Sequence, residues 1–295
     1  MPIGEEGLAG YAREQIEGAL RDPRLERGHG AAIGDFNDAL EEIERTRMLA
    51  QIGLQEIRKS YEREHADFKA NGRDQQREHE VQVFWQRAEM ARIEIENDCP
   101  AINAQALISM NSALDALVEH LVPAVRDMPF EIRLREAERL VPEAAETLTP
   151  EVRRQLITKM QELLKLGEPE RLWGSGVARY ERRLRGVGLG APEERPLPTD
   201  LDQALTEFGV LRDLLVHRAG RIDAKALTRA HSLTRKYSDG DLIRLEGDDY
   251  RTYSAAMRWY AAEVVHRLWS KFPDLVNAEE APDPGNWRDW HMIGA

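Results

Sequence analysis

From Asn103 to Val125 apolar side chains return at Ala106, Leu107, Met110, Leu114, Leu117, Val118, Leu121 and Val122. That spacing follows the 3.6-residue turn of an α-helix and predicts a buried helical face, the central core helix of the fold. The same period recurs in other long stretches. Phe36, Leu40, Ile43, Met48, Leu49, Ile52, Ile57 and Tyr61 mark a helix from Asp35 to Phe68. Val81, Phe84, Trp85, Ala88, Ala91, Ile93 and Ile95 mark a second from about Arg73 to Asn97, and Asp249 to Lys271 forms the last strong helix. Glu, Arg, Ala and Leu dominate the chain while aromatics make up 6%. This balance favours straight-chain helix formers over the residues that strands prefer. An all-α fold is expected.

Breaks between these stretches set the organisation. A short helical pattern from Glu5 to Arg21 gives way at Asp22-Pro23 and Gly28-His29-Gly30. Asn71-Gly72 ends the Asp35–Phe68 helix and Cys99-Pro100 stops the next, so the two read as a helical hairpin. Residues 129–170 carry two shorter helical patterns broken by Pro142, Pro150 and Pro169, with Thr149-Pro150-Glu151 as a helix start. Gly186 to Pro192, with Pro196 and Pro198, reads as a loop. Thr199-Asp200 is expected to cap a helix carrying Arg212 and His217, and Gly220 to end it. Asp223 then caps a helix from about Ala224, Ser238-Asp239-Gly240-Asp241 turns the chain, and Leu242 to Leu245 is a short extended piece. The Trp-bearing tail from Pro282 to Ala295 is expected to be peripheral. The division that follows is an N-terminal extension over 1–72, a helical domain over 73–275 with an insertion at about 128–172, and a tail over 276–295.

Other features exclude whole classes. A chain of 295 residues with 42% hydrophobic composition can bury a sizeable core. Cys99 is its only cysteine, so no intrachain disulfide and no thiolate zinc site can form, and a reducing compartment is expected. Neither a secretory leader nor an apolar run of about 18 residues is present, so a soluble, cytoplasmic protein without membrane contact is expected. The formal charge of −12 argues against broad attachment to nucleic acid, because phosphate binding needs local cations. Against that background, the stretch from Arg212 to Lys236 carries five Arg and two Lys against Asp213 and Asp223. Any contact with nucleic acid is expected there.

Within it lies Arg212-Asp213-Leu214-Leu215-Val216-His217. Five residues on an ideal helix amount to about 140° of rotation and about 7.5 Å of rise, so Arg212 and His217 do not share a face by geometry alone. Arg212 is long enough to swing back. His217 is placed at the carbonyl end of the helix, where positive charge is favoured. Cleavage of RNA by its own 2′-hydroxyl needs a group to take the hydroxyl proton, a cation to stabilise the phosphorane, and a proton for the leaving 5′-oxygen. His supplies the acid or base and Arg supplies a fork of donors, with no cofactor or metal. One such pair is thin for a complete site, and a symmetric dimer would supply the missing groups. The same residues also fit a plain arrangement in which Arg212 pairs with Asp213 and His217 only closes a helix.

The run Leu211 to Asp223, with Gly220, Ile222 and Asp223 after the His, resembles the HEPN superfamily, the helical "higher eukaryotes and prokaryotes nucleotide-binding" proteins. Tyr180 to Leu189 and Leu205 to Leu211 are similar to the approach to that helix in HEPN proteins of bacterial phage defence, and Ala106–Val125 and Tyr253–Trp269 to its second and closing helices. The resemblance implies a HEPN-like helical bundle acting as a homodimeric, metal-independent endoribonuclease, a toxin or anti-phage effector restrained by an antitoxin or defence-system partner protein. It implies Arg212 and His217 as the catalytic pair, Asp213 as the polar residue that positions them, and Asp115 as an acid that orients Arg212. Arg218, Arg221 and Lys225 are the implied RNA-phosphate contacts. The superfamily also holds non-catalytic members, which leaves open a helical module for dimerisation and partner binding.

Remaining signals are weaker. Gly186, Gly188 and Gly190 have no preceding strand and read as a linker, not a phosphate loop. Glu64-His65 and Glu78-His79-Glu80 lack an i, i+4 histidine pair and read as charged helix faces. Trp259 and Trp269 fit a helical core pattern, whereas Trp287 and Trp290 are placed to dock on the body or on a second subunit.

Overall fold

The computed structural model describes residues 29–71, 75–126, 176–193, 195–272 and 284–292. The expected patterns at residues 5–21 and in the insertion at 128–172 lie outside them. Among the described residues the fold is all-α: α1 (His29–Asn71), α2 (Gln75–Glu96), α3 (Pro100–Arg126), α4 (Val177–Arg185), α5 (Thr199–His217), α6 (Ala224–Arg229) and α7 (Gly247–Lys271), with 3-10 turns at His231–Arg235 and Trp287–Met292. The expected extended piece after Gly240 amounts to one antiparallel bridge, Arg221 to Leu242.

The stripe that predicted α3 is the centre of the molecule. Leu107, Met110, Leu114, Leu117, Val118 and Leu121 are fully buried, and α1, α4 and α7 pack against this helix. Burying each such side chain is worth about 1.5–3 kcal/mol, so this face is the main organising contact. Tyr260 and Phe208 fill the space between α7 and its neighbours, and α5 lies against α7. Close approach of the start of α4 to the middle of α5 has a sequence cause: a side chain at Gly209 would meet the Gly176 backbone at 3.3 Å.

The first turns of α1 contribute Ala32, Ile33 and Phe36 to the same core as the helices beyond residue 73. Further along, Arg47 lies over the Tyr250 ring at 3.8 Å, and Tyr250 and Arg258 both bond Glu44. The hairpin then continues with Met48, Leu49, Ile52, Ile57, Phe84, Trp85, Met90 and Ile93 exposed. At its base Asp98 and Cys99 adopt positive φ, and Pro100 begins α3 instead of merely stopping α2. Asn103, wholly buried, secures this corner: its amide donates to Asp98 O (2.6 Å) and Leu245 O (3.0 Å) and accepts from Arg47 Nε (3.2 Å).

A buried charged group ties α4, the following loop and α7 together. Arg267 donates to Glu181 (2.7 Å) and Glu263 (2.9 Å), Tyr260 donates to Glu181 (2.8 Å), and the Ala191 amide donates to the second Glu181 oxygen (2.7 Å). Burial works against the Arg267 charge, yet its bonds to the two carboxylates outweigh burial and raise its pKa. The glycine-rich loop is thus clasped to α7, with Lys271 donating to Gly188 O at 2.9 Å.

Two expectations about ends are corrected. Helix α5 starts at Thr199 without a side-chain cap, because Pro198 occupies the cap position; Asp200, within the first turn, accepts the Leu201 amide and the Trp287 indole, each at 3.1 Å. For the same reason the tail is not peripheral at Trp287, which is buried in the core, while Gly285 O accepts the Trp259 indole at 3.0 Å. These tryptophans dock on the body of their own chain.

Candidate functional site

Helix α5 remains regular to His217, its last residue. Its end is built by the Arg218 and Gly220 amides, which both donate to Leu214 O, at 2.8 and 3.0 Å. The Arg221 amide then bonds Arg218 O across a turn whose central residues, Ala219 and Gly220, have φ of 51° and 69°. Such a turn needs left-handed backbone at both places, which glycine adopts without steric cost and alanine does not. The reversal continues into the bonds between residues 220–222 and 240–243, and Asp223 caps α6 by accepting the Ala226 amide at 2.7 Å. Local sequence therefore brings α6 back beside the end of α5.

This reversal assembles a cluster. Arg212 Nη1 lies 3.5 Å from Asp213 Oδ1, and Arg229 Nη2 of α6 donates to Asp213 Oδ2 at 3.3 Å. Asp213 and His217 are four residues apart on one helix and occupy one face. By reaching for Asp213, the Arg212 guanidinium moves toward the face that carries His217. His217 is exposed, and the side chains of Arg212, Asp213 and Arg229 keep 29%, 37% and 36% of their accessible surface, so a polymer could reach all four. Arg212 Nε is buried without a hydrogen-bond partner, at a cost of about 1–3 kcal/mol, while 29% of the side chain stays accessible.

Asp115 does not bond Arg212. Its carboxylate accepts from Arg179 of α4 at 2.9 Å and from Asn111 at 3.3 Å. The link to Arg212 is indirect, through Tyr180. Burial first, and then the facing Asp115 carboxylate, push the Tyr180 hydroxyl well above its ordinary pKa, with Arg179 and Arg212 acting the other way. Tyr180 therefore stays neutral. The three expected phosphate contacts part company. Arg218 donates to Asp223 at 3.3 Å, Arg221 donates to Gly240 O at 3.1 Å, and Lys225 stands exposed on α6. Arg229, Arg179 and Tyr180 belong to the neighbourhood although spacing did not mark them. Arg229 stood in the sequence only as one of five arginines in a basic segment.

Among the described residues no three His, Cys, Asp or Glu side chains gather as a metal cluster, and no helix is long and apolar enough to cross a membrane. Compared with protein-family models, curated proteins and solved structures, the chain matches none.

Proposed function

We propose that the chain is a metal-independent endoribonuclease of the HEPN type, acting as a homodimer. The observation that carries this reading is the Arg212–Asp213–His217 arrangement at the end of α5, where an accessible histidine shares a helix face with a carboxylate that draws in the arginine. The reaction is a transesterification. The 2′-oxygen attacks the adjacent phosphorus as its proton passes to a neutral imidazole, Arg212 neutralises the charge that builds on the phosphorane oxygens, and the P–O5′ bond breaks as an imidazolium protonates the leaving oxygen. The products are a 2′,3′-cyclic phosphate and a 5′-hydroxyl. A concerted step needs a neutral imidazole and an imidazolium at the same moment, which one histidine does not supply, so a second copy of α5 completes the set. Toxin or phage-defence use, under restraint by a partner protein, is the biological setting that the HEPN resemblance implies.

The test is cleavage of RNA by the purified protein in EDTA, with Arg212→Ala and His217→Ala variants beside it. Loss of cleavage by at least roughly a hundredfold in each variant is expected. Equal cleavage by wild type and His217→Ala overturns the reading.

A second reading, a non-catalytic HEPN-like module for dimerisation and partner binding, draws on the hairpin α1–α2, where side chains as large as Trp85 are half exposed. It predicts no RNA turnover under any condition.

A further inference from the structure

The outer side of α1 carries a second helical pattern, and the inference drawn from it stands apart from the nuclease reading. Phe36, Leu40, Ile43 and Tyr61 turn α1 toward the body. On the opposite side Asp38, Glu42, Arg45, Leu49, Ile52, Glu56, Lys59 and Arg63 recur at alternate intervals of four and three residues, and every one of them is exposed. Such alternation is the a/d spacing of a coiled-coil seam. Within the helix Arg45 pairs with Glu42, and Lys59 with Glu56 at 2.8 Å, each one turn away. Beside Leu49 and Ile52 stands Gly53, in the middle of the helix, where glycine weakens the helix and an added Cβ would meet nothing within 4 Å among the described residues. The body of the chain gives this glycine no packing reason.

We propose that this face is a two-fold interface in which α1 pairs antiparallel with α1 of a second copy of the chain. The charges of the seam are complementary to the same seam reversed. With the axis between Leu49 and Ile52, Leu49 packs on Ile52 of the second copy, Arg45 meets Glu56, Glu42 meets Lys59 and Asp38 meets Arg63, and symmetry repeats every contact. The paired stretch is about 38 Å long. Leu49 of one copy enters the hole bounded by Leu49, Ile52, Gly53 and Glu56 of the other, which the missing Cβ of Gly53 keeps open. The local Glu42–Arg45 pair then lies against the Lys59–Glu56 pair of the second copy with signs opposed, so local and cross-helix pairings reinforce each other. Other registers fail. A parallel pair sets Arg45 on Arg45 and Glu42 on Glu42, and an antiparallel slip of one heptad sets Arg45 on Arg63 or Asp38 on Glu56. One like-charge pair arises on the flank, Glu41 with Glu62, and Glu62 is held by Arg58 of its own helix at 3.0 Å. Charge thus selects the partner and its direction, while Leu49 and Ile52 supply the apolar centre.

The experiment follows self-association of the full chain by sedimentation equilibrium. Arg45 and Glu56 lie about 16 Å apart along one helix, so they do not meet within a chain. Arg45→Glu and Glu56→Arg are each expected to weaken association about tenfold or more, because each reversal sets like charges together at both symmetric sites. The double variant Arg45→Glu/Glu56→Arg recovers the loss. So does an equimolar mixture of the two single variants, whose seams complement one another although neither complements itself. Gly53→Leu fills the hole and weakens association to a similar degree, while circular dichroism shows the helix retained; it also serves as the test should a charge variant not fold. Where α5 pairs as well, the same contrast is read in the step from dimer to tetramer. The assignment is overturned if both single variants and Gly53→Leu associate as wild type does, or if neither the double variant nor the mixture regains what the single variants lose. A wild type that stays monomeric at about 100 μM overturns it too.

Discussion

Replacing Glu181 by leucine should damage the protein more than any single surface change, and by an amount the structure sets. Glu181 accepts from Arg267, Tyr260 and the Ala191 amide, at 2.7, 2.8 and 2.7 Å, and the Arg267 side chain retains only 6% of its accessible surface. Leucine fills similar volume but leaves a buried hydroxyl and a backbone amide without their Glu181 acceptor, and a buried guanidinium with Glu263 as its one carboxylate and a long bond to Leu189 O. Breaking a buried pair on one side costs about 3–5 kcal/mol. In a chain of this size that corresponds to a fall in Tm of roughly 10 °C. Tyr260→Phe removes one donor and leaves the ion pair intact, so about 1 kcal/mol is expected. A double variant, Glu181→Leu with Arg267→Met, removes the stranded charge and should recover much of the loss. Thermal unfolding followed by circular dichroism reads all three. A Glu181→Leu shift below about 2 °C, or a double variant worse than the single, would refute the view that this network clasps the loop between α4 and α5 to α7.

Further outcomes follow from the same contacts. The Tyr180, Tyr250, Tyr253 and Tyr260 hydroxyls are all raised above the ordinary value of 10.0, by burial first and then by the carboxylates they face. The folded state then holds protons that the unfolded chain releases. Stability is therefore intact below about pH 10 and falls as pH rises beyond it, by up to about 1.4 kcal/mol per pH unit for each tyrosine. Urea midpoints measured through that range should drop, Tyr260→Phe should flatten the drop, and a constant midpoint would contradict the assignment. At the turn after His217, Gly220→Ala places a side chain at φ 69° with its Cβ 3.4 Å from Leu215, whereas Ala219→Gly relieves a residue already at φ 51°. The first should cost about 1–2 kcal/mol and the second nothing, or it should stabilise slightly; equal losses in chemical denaturation would show that the turn is not left-handed at both residues.

Much of this architecture was legible because it is local. The apolar stripe of α3 has a period that one helix satisfies, and the same face is the one buried. Asp223 caps α6 because a carboxylate just ahead of a helix accepts its first free amides, and this too is a matter of neighbours. What escaped is non-local. The bond from Arg229 to Asp213 spans 16 residues and exists only because the turn at 218–221 returns α6 to α5. Asp115 meets Arg179 across 64 residues, so an acid on the core helix gave no sign of which arginine would claim it. Trp287 reached the core through an indole bond to Asp200, 87 residues away, at the same oxygen that accepts the Leu201 amide in the first turn of α5. Competition among partners for one carboxylate is decided by packing, and no spacing encodes it.

The most direct measurement of the central claim is the chemistry of the cut ends. A defined single-stranded RNA is incubated with the purified protein in EDTA and the fragments are weighed by mass spectrometry, beside the same strand carrying one 2′-deoxy nucleotide at the cleavage position. The Arg212–His217 reading predicts a 2′,3′-cyclic phosphate on one fragment, a 5′-hydroxyl on the other, and no cut at the 2′-deoxy position. Fragments bearing a 5′-phosphate, or cleavage that ignores the missing 2′-hydroxyl, would contradict it.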